Sequence, residues 1–194
     1  RDRSHRNRYG DVDWWDGLEM KNMPGYTTTL LTTLSEDYIK ENKDKPFCLY
    51  IAHAAPHSPM QGPNEKAIRT EATLEGDKNS DRPNKEIYKD MVEELDWSVG
   101  RILETLKKYK LDKNTFVVFF SDNGPVINNG GSTGGYRGAK GAPWEGGHRV
   151  PGICYMPGTV KGGTMCKQTV MSFDLFPTML DMANIHYDLS LIHI

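Results

Sequence analysis

Apolar positions along this chain repeat at two periods. From Asn84 to Tyr109, Ile87, Met91, Leu95, Val99, Ile102 and Leu106 step by four, four, four, three and four, the spacing of one face of an α-helix. The pattern predicts a long amphipathic helix with Lys107, Lys108 and Lys110 at its negative end. A second predicted helix runs from Thr27 to about Asn42 on Leu30, Leu31, Leu34, Tyr38 and Ile39, and the charged ENKDK ends it. Two shorter runs have the length and the β-branched or aromatic content of buried strands: FCLYIA after Pro46, and Phe116 to Phe120. GICYMPG predicts a third strand ending in a turn, and VKGGTMCKQTV a short hairpin turning near Gly162-Gly163. In SFDLFPTMLDMAN, proline is tolerated only in a helix's first turn. Asp174 as N-cap places Pro177 third, so a helix is expected from about Leu175 to Ala183. The order strand–helix–strand points to an α/β fold.

Between these elements the pattern lapses. Residues 1–25 predict irregular structure, and the Gly-, Asp-, Trp- and Pro-rich run within them includes Trp14 and Trp15. Those tryptophans are expected to pack under a loop, with lining of a substrate cleft the alternative. Residues 61–83, with Gly62, Pro63, Gly76 and Pro83, predict a surface loop.

Composition narrows the function classes. The 194 residues suffice for one domain with a real core. Lysine and arginine total 24 against 26 acids, so no bulk charge favours nucleic acid. RDRSHRNR, with four arginines in eight residues, reads as a solvated or truncated segment. No apolar run reaches the ~18 residues of a membrane span, and no leader is visible. The first residue is arginine rather than methionine, so the chain reads as a fragment. The three cysteines, at 48, 154 and 166, lack metal-type spacing, and Cys48 and Cys154 are expected as buried thiols.

The chemistry gathers in FVVFFSDNGPVINNGGSTGGYRGAKGAPWEGGHRVP, residues 116–151. Asp122 and Asn123 follow a strand, where open α/β sheets build their sites. Their oxygen donors suit a hard cation, although the same residues also make ordinary turns. Lys140 stands among Gly138, Gly141, Gly146 and Gly147, small neighbours that let an ammonium approach an anion. His53 and His57 are four apart, but Pro56 and Pro59 argue against the helix that would put them on one face. His57 is thus a candidate general acid rather than a zinc ligand.

SDNGP followed by GYRGAKGAPWEGGHRVPG resembles the sulfatase family, within the alkaline-phosphatase-like superfamily, in the carboxyl part of its catalytic domain. PFCLYIAHAAPHSPM resembles the family's strand and H-x-P, EELDWSVGRIL its preceding helix, and DLFPT its D-L-x-P-T helix. The resemblance covers roughly residues 26–187. It implies a mixed, mainly parallel sheet flanked by helices and incomplete at the amino end, making residues 1–188 a partial catalytic domain. It implies that Asp122 and Asn123 ligate Ca2+ (Mg2+ less readily), that Lys140 contacts the sulfate, and that His57 helps protonate the leaving alcohol. His148, in the same phrase, is a further candidate substrate contact.

The reaction so implied is hydrolysis of sulfate esters of carbohydrates or aryl alcohols, with a periplasmic, secreted or lysosomal location. The family nucleophile, a formylglycine made in C-x-P-x-R or S-x-P-x-R, has no matching motif here and is expected before Arg1, as are the paired aspartates that complete the metal site. The isolated chain is therefore expected to be inactive. The alternatives are a phosphomonoester or phosphonate monoester hydrolase of the same superfamily, and a non-catalytic remnant that binds sulfated glycans. Residues 189–194, LSLIHI, are the translation of a transposon end used in sequencing libraries and read as a non-native tail.

Overall fold

A computed structural model describes residues 14–65 and 81–186. The arginine-rich start, most of the 61–83 segment and the 189–194 tail lie outside the described residues.

Two helices form the centre of the fold. Helix α1, Thr27–Glu41, and helix α2, Asn84–Lys108, pack along one another. The stripe α1 buries is Thr28, Thr32, Ser35 and Ile39, at helical spacing. Leu34, expected on the inner face, is exposed instead. Small hydroxylated residues line the contact, and the Thr32 and Ser35 hydroxyls find acceptors within their own helix. Thr32 Oγ1 donates to the Thr28 carbonyl at 2.7 Å and Ser35 Oγ to the Leu31 carbonyl at 2.6 Å. Across the pair, Arg101 bonds Glu36 at 2.9 Å and Thr29 bonds Glu94 at 2.8 Å.

Asn42 stops α1, its backbone N–H and its side-chain amide both donating to the Tyr38 carbonyl at 3.0 and 2.7 Å. The end of α2 is closed by a Schellman pair: Lys110 N–H to Lys107 O at 2.9 Å and Leu111 N–H to Leu106 O at 2.8 Å. Lys110 takes φ 60°, the left-handed geometry that glycine usually supplies.

The long-helix expectation holds at Ile87, Met91 and Leu106, which are buried. Ile87 and Met91 enclose Met60, with Ala55 and Tyr88 packed alongside. The start of the 61–83 segment is not a free loop. Gly62 is buried, and Arg82 reaches Asp90 at 2.8 Å and Glu65 at 3.5 Å, tying both ends of the segment to α2.

Residues 47–52 do not form the expected strand. Phe47, Leu49 and Ile51 are half-buried while Cys48, Tyr50 and Ala52 are exposed, a period of two. Among the described residues, however, the segment joins no ladder, because no neighbouring strand meets its N–H and carbonyl groups.

Both sheets among the described residues are two-stranded and antiparallel. Strands β1, Trp14–Asp16, and β2, Glu19–Lys21, form a hairpin inside the stretch expected to be irregular. Gly17 takes φ 60° at the first turn position, as primed two-residue turns favour. Trp14 is buried and Trp15 exposed. Strand β3, Val117–Phe120, pairs with β4, Gly152–Tyr155, in the register Val117↔Tyr155 through Phe120↔Gly152.

The mainly parallel sheet expected from the sequence is thus not seen among the described residues. Its first strand would be 47–52, which does not pair with β3. Cys48 and Cys154 are exposed, against expectation, because each lies on a face with nothing packed over it. The 160–170 hairpin is also absent: Gly162-Gly163 turns, but no strands flank it.

The last element agrees with expectation to within one residue. Helix α4, Leu175–Met182, follows a short 3₁₀ turn at Ser172–Asp174. Asp174 turns its carboxylate back to Met171 N–H, at 2.8 Å, rather than forward onto α4. No helix among the described residues is long and apolar enough to cross a membrane.

Candidate active site

Strand β3 delivers its chain directly into Ser121-Asp122-Asn123-Gly124. Three contacts hold that turn. Ser121 Oγ donates to the Asn123 carbonyl at 3.0 Å, Ser121 N–H to the Pro151 carbonyl at 3.4 Å, and Gly124 N–H to the Gly147 carbonyl at 2.8 Å. The β3–β4 register therefore brings the sequence-distant Arg-Val-Pro against the exit of β3. Asp122 is exposed and Asn123 half-buried, with Asn123 Nδ2 donating to Asp122 Oδ2.

The short helix α3, Glu145–His148, packs against the same turn through bare backbone. A Cβ on Gly124 would lie 2.0 Å from the Gly146 carbonyl oxygen, one on Gly146 2.4 Å from the Gly138 oxygen, and one on Gly147 2.1 Å from the Ala142 oxygen. No side chain fits at these three positions without moving backbone.

Lys140 is joined to this assembly by its own N–H, which donates to the Pro125 carbonyl at 3.1 Å. The sequence placed Asp122, Asn123 and Lys140 in one stretch, and the structure ties their backbones into one unit. Among the described residues the Lys140 ammonium has no acidic or hydrogen-bonding partner. The other basic groups of the loop are engaged: Arg137 lies over the Trp144 ring at 3.7 Å, and Arg149 over the Tyr136 ring at 4.6 Å while bonding Glu145 at 2.8 Å. His148 is exposed at the end of α3, beside the carbonyl that anchors Gly124. The Arg–aromatic pairs are invisible in the sequence, since no periodicity marks them.

His57 has separate support. Pro59 and Met60 are buried, Met60 sits between Ile87 and Met91, and His57 N–H closes a turn onto the Ala54 carbonyl at 2.8 Å. The ring Nδ1 lies 2.7 Å from the Ser58 carbonyl. A carbonyl only accepts, so Nδ1 carries the proton of this bond. The exposed ring stands at the protein surface.

His53 does not share that exposure. Its Nε2 lies 3.4 Å from Ser98 Oγ, which lies 2.6 Å from Thr32 Oγ1. Its Nδ1 is buried and without a hydrogen-bond partner among the described residues. Burial holds this imidazole below the usual histidine range.

As a metal site the turn is incomplete. Asp122 and Asn123 offer hard oxygen donors, but Asn123 turns its nitrogen towards the carboxylate. No group of three His, Cys, Asp or Glu side chains suited to a metal occurs among the described residues. The pair fits as part of a calcium shell, not the whole of one, since calcium takes about 6–8 oxygens.

The chain is similar to known proteins in sequence and in fold. The family model described as Sulfatase matches residues 3–185. Steryl-sulfatase of Rattus norvegicus is 35% identical over 164 residues, 80% of this chain and 26% of that protein. N-acetylgalactosamine-6-sulfatase of Mus musculus is 36% identical, over 81% of this chain and 29% of that protein. Among solved structures, Ps i-CgsB in complex with k-i-k-neocarrahexaose superposes with a TM-score of 0.76 at 29% identity, over 89% of this chain and 37% of that one. The chain therefore spans less than a third of the length of these curated relatives.

Proposed function

Because this chain belongs to the sulfatase family, we propose that it carries part of the active site of a sulfuric ester hydrolase acting on sulfated carbohydrates or aryl sulfates. The observation that carries this reading is the junction of two loops. Lys140 N–H on Pro125 O and Gly124 N–H on Gly147 O join the backbone that bears an unpaired ammonium to the backbone of a carboxylate–carboxamide turn. There Lys140 would offer positive charge to an anion, and Asp122 and Asn123 would offer oxygen donors to a cation.

The residues then divide the chemistry. Lys140 neutralises charge on the transferring sulfuryl group, an electrostatic role that preorganisation strengthens. His57, protonated at Nε2, donates to the oxygen of the departing alcohol, and the Ser58 carbonyl keeps Nδ1–H from competing for that role. His148 contacts the substrate beside Gly147. Asp122 and Asn123 supply part of a Ca2+ shell, completed by groups outside these residues. Calcium held in part by Asp122 and Asn123 would supply Lewis-acid polarisation of the sulfate oxygens, and a formylglycine outside these residues would supply the nucleophile.

The carbohydrate class is supported by the likeness to Ps i-CgsB, whose structure holds a carrageenan oligosaccharide. The family resemblance supports a location outside the cytosol for the intact protein. The test is binding of a sulfated oligosaccharide and of its desulfated counterpart to the chain, followed by NMR. Shifts confined to the sulfated form and centred on Lys140 support the reading, and equal binding of both forms removes it. In the gene's complete product, faster turnover of an aryl phosphate than of an aryl sulfate would favour the phosphomonoesterase alternative.

A further inference from the structure

The loop that carries Lys140 runs from Arg137 to Trp144, and its two ends are stacked on each other. The Arg137 guanidinium lies 3.7 Å from the centre of the Trp144 ring, well inside the range of a cation–π contact. Beneath that stack, Gly146 N–H donates to the Arg137 carbonyl at 2.8 Å. The tryptophan has a second neighbour, since a Cβ on Gly138 would lie 2.9 Å from Trp144 Cβ and 3.2 Å from Cδ1. The side chain is thus fitted between the guanidinium of Arg137 and the bare Cα of Gly138.

One step outward the pattern repeats. Arg149 lies 4.6 Å from the Tyr136 ring centre and bonds Glu145 at 2.8 Å. Residues 136 and 137 thus pair with 149 and 144, two rungs that close the base of the loop with Lys140 near its tip. The tip itself is held by Lys140 N–H on Pro125 O, between Gly138 and Gly141, both at φ 84° in a conformation open to glycine.

We propose that Arg137 and Trp144, backed by Arg149 and Tyr136, are positioning residues that clamp the loop and preorganise the Lys140 ammonium for an anionic substrate group. The clamp rests on the anion-binding role given to Lys140 above only for its purpose. Its existence is independent of that role. The arrangement also divides the cations, with two guanidiniums engaged on rings and the ammonium left for the ligand. Fixing a charged group before the ligand arrives removes the ordering cost from the binding step.

Amide hydrogen exchange on the 194-residue chain, with inorganic sulfate titration read at the Gly138, Gly141 and Gly146 amides, tests this. Trp144→Ala is expected to cut protection of the Lys140 and Gly146 amides at least tenfold, with the α2 amides unchanged. Sulfate affinity is expected to fall with it, and Trp144→Phe to restore both. Arg137→Met, which removes only the guanidinium, is expected to lower Lys140 protection in the same direction with the fold intact. Lys140 protection within twofold of wild type in both Trp144→Ala and Arg137→Met overturns the proposal. So does a loss in Arg137→Met that spreads equally through α2. Lys140→Ala separates the two readings, because unchanged sulfate binding there with protection intact removes the role of Lys140 and leaves the clamp standing.

Discussion

The backbone N–H of Gly124 donates to the carbonyl of Gly147 across 2.8 Å, joining two turns that are 23 positions apart in the chain. A methyl group at Gly124 would sit 2.0 Å from the Gly146 oxygen. Gly124→Ala is therefore expected to destabilise the chain by about 1–3 kcal/mol, as overpacking does. Urea unfolding measures this, and a midpoint equal to wild type would mean that the turns yield more readily than the packing indicates.

The unpaired state of Lys140 gives a sharper expectation. Lys140→Ala should leave stability within about 0.5 kcal/mol of wild type, as surface substitutions do, while sulfated oligosaccharide binding is lost. Calorimetric titration beside thermal unfolding separates the two effects. A destabilised variant with normal binding would make this lysine structural.

Calcium should bind weakly to the isolated chain, because Asp122 and Asn123 provide too few of the oxygens the ion takes. A Kd on the order of 10⁻³ M or weaker is expected, and Asp122→Ala should abolish what binding there is. Isothermal titration of the two proteins decides the matter, and Asp122→Ala binding calcium as well as wild type does would move the metal elsewhere.

His53 makes stability depend on pH in a defined direction. Its folded pKa lies below the ordinary value of 6.5 because of burial. The unfolded chain thus takes up the proton first as pH falls. Stability is full above about 6.5 and declines below it, at no more than ~1.4 kcal/mol per pH unit for one proton. His53→Gln should flatten this decline in urea titrations run between about pH 8 and about pH 5. An equal slope in both proteins would assign the effect to other groups.

Lys110 holds a left-handed φ of 60° at the Schellman close of α2. Lys110→Gly should relieve that conformation and stabilise the chain by about 0.5–1 kcal/mol, the left-handed penalty less glycine's own entropy. A lower melting temperature would show that the lysine side chain contributes more than its backbone costs.

The sequence made some of this legible and hid the rest, for physical reasons. Helix α2 was readable because Ile87, Met91 and Leu106 keep helical register over many turns, and α4 because Pro177 fixes its first turn. The buried stripe of α1 was misread because its packing uses Thr28, Thr32 and Ser35, and the hydroxyls of Thr32 and Ser35 bond within the helix so that these residues behave as small core groups. The β1–β2 hairpin carried a usable signal, Asp16-Gly17 between apolar residues, that the surrounding glycine- and tryptophan-rich composition obscured. Residues 47–52 show why strand propensity is insufficient: the alternation is present, but pairing depends on a neighbour that no local pattern specifies. At the site, the residue types and their order were legible in the sequence. The stacking of Arg137 on Trp144 was not, since a glycine-rich loop separates them.

Strands β3 and β4 fasten Ser121 to Pro151, and Pro125 fastens Lys140 partway along the same excursion. What lies between Gly131 and Tyr136 is tied back through Thr133 to the Tyr136 backbone, and Gly134 and Gly135 have open space where a side chain would go. That interval is a tolerant window for evolution and for engineering alike. Doubling its length adds only about 0.6 kcal/mol of closure entropy, and neither Asp122 nor Lys140 has to move to accommodate it. New substrate preferences can thus be written into the window while the charged groups keep their places.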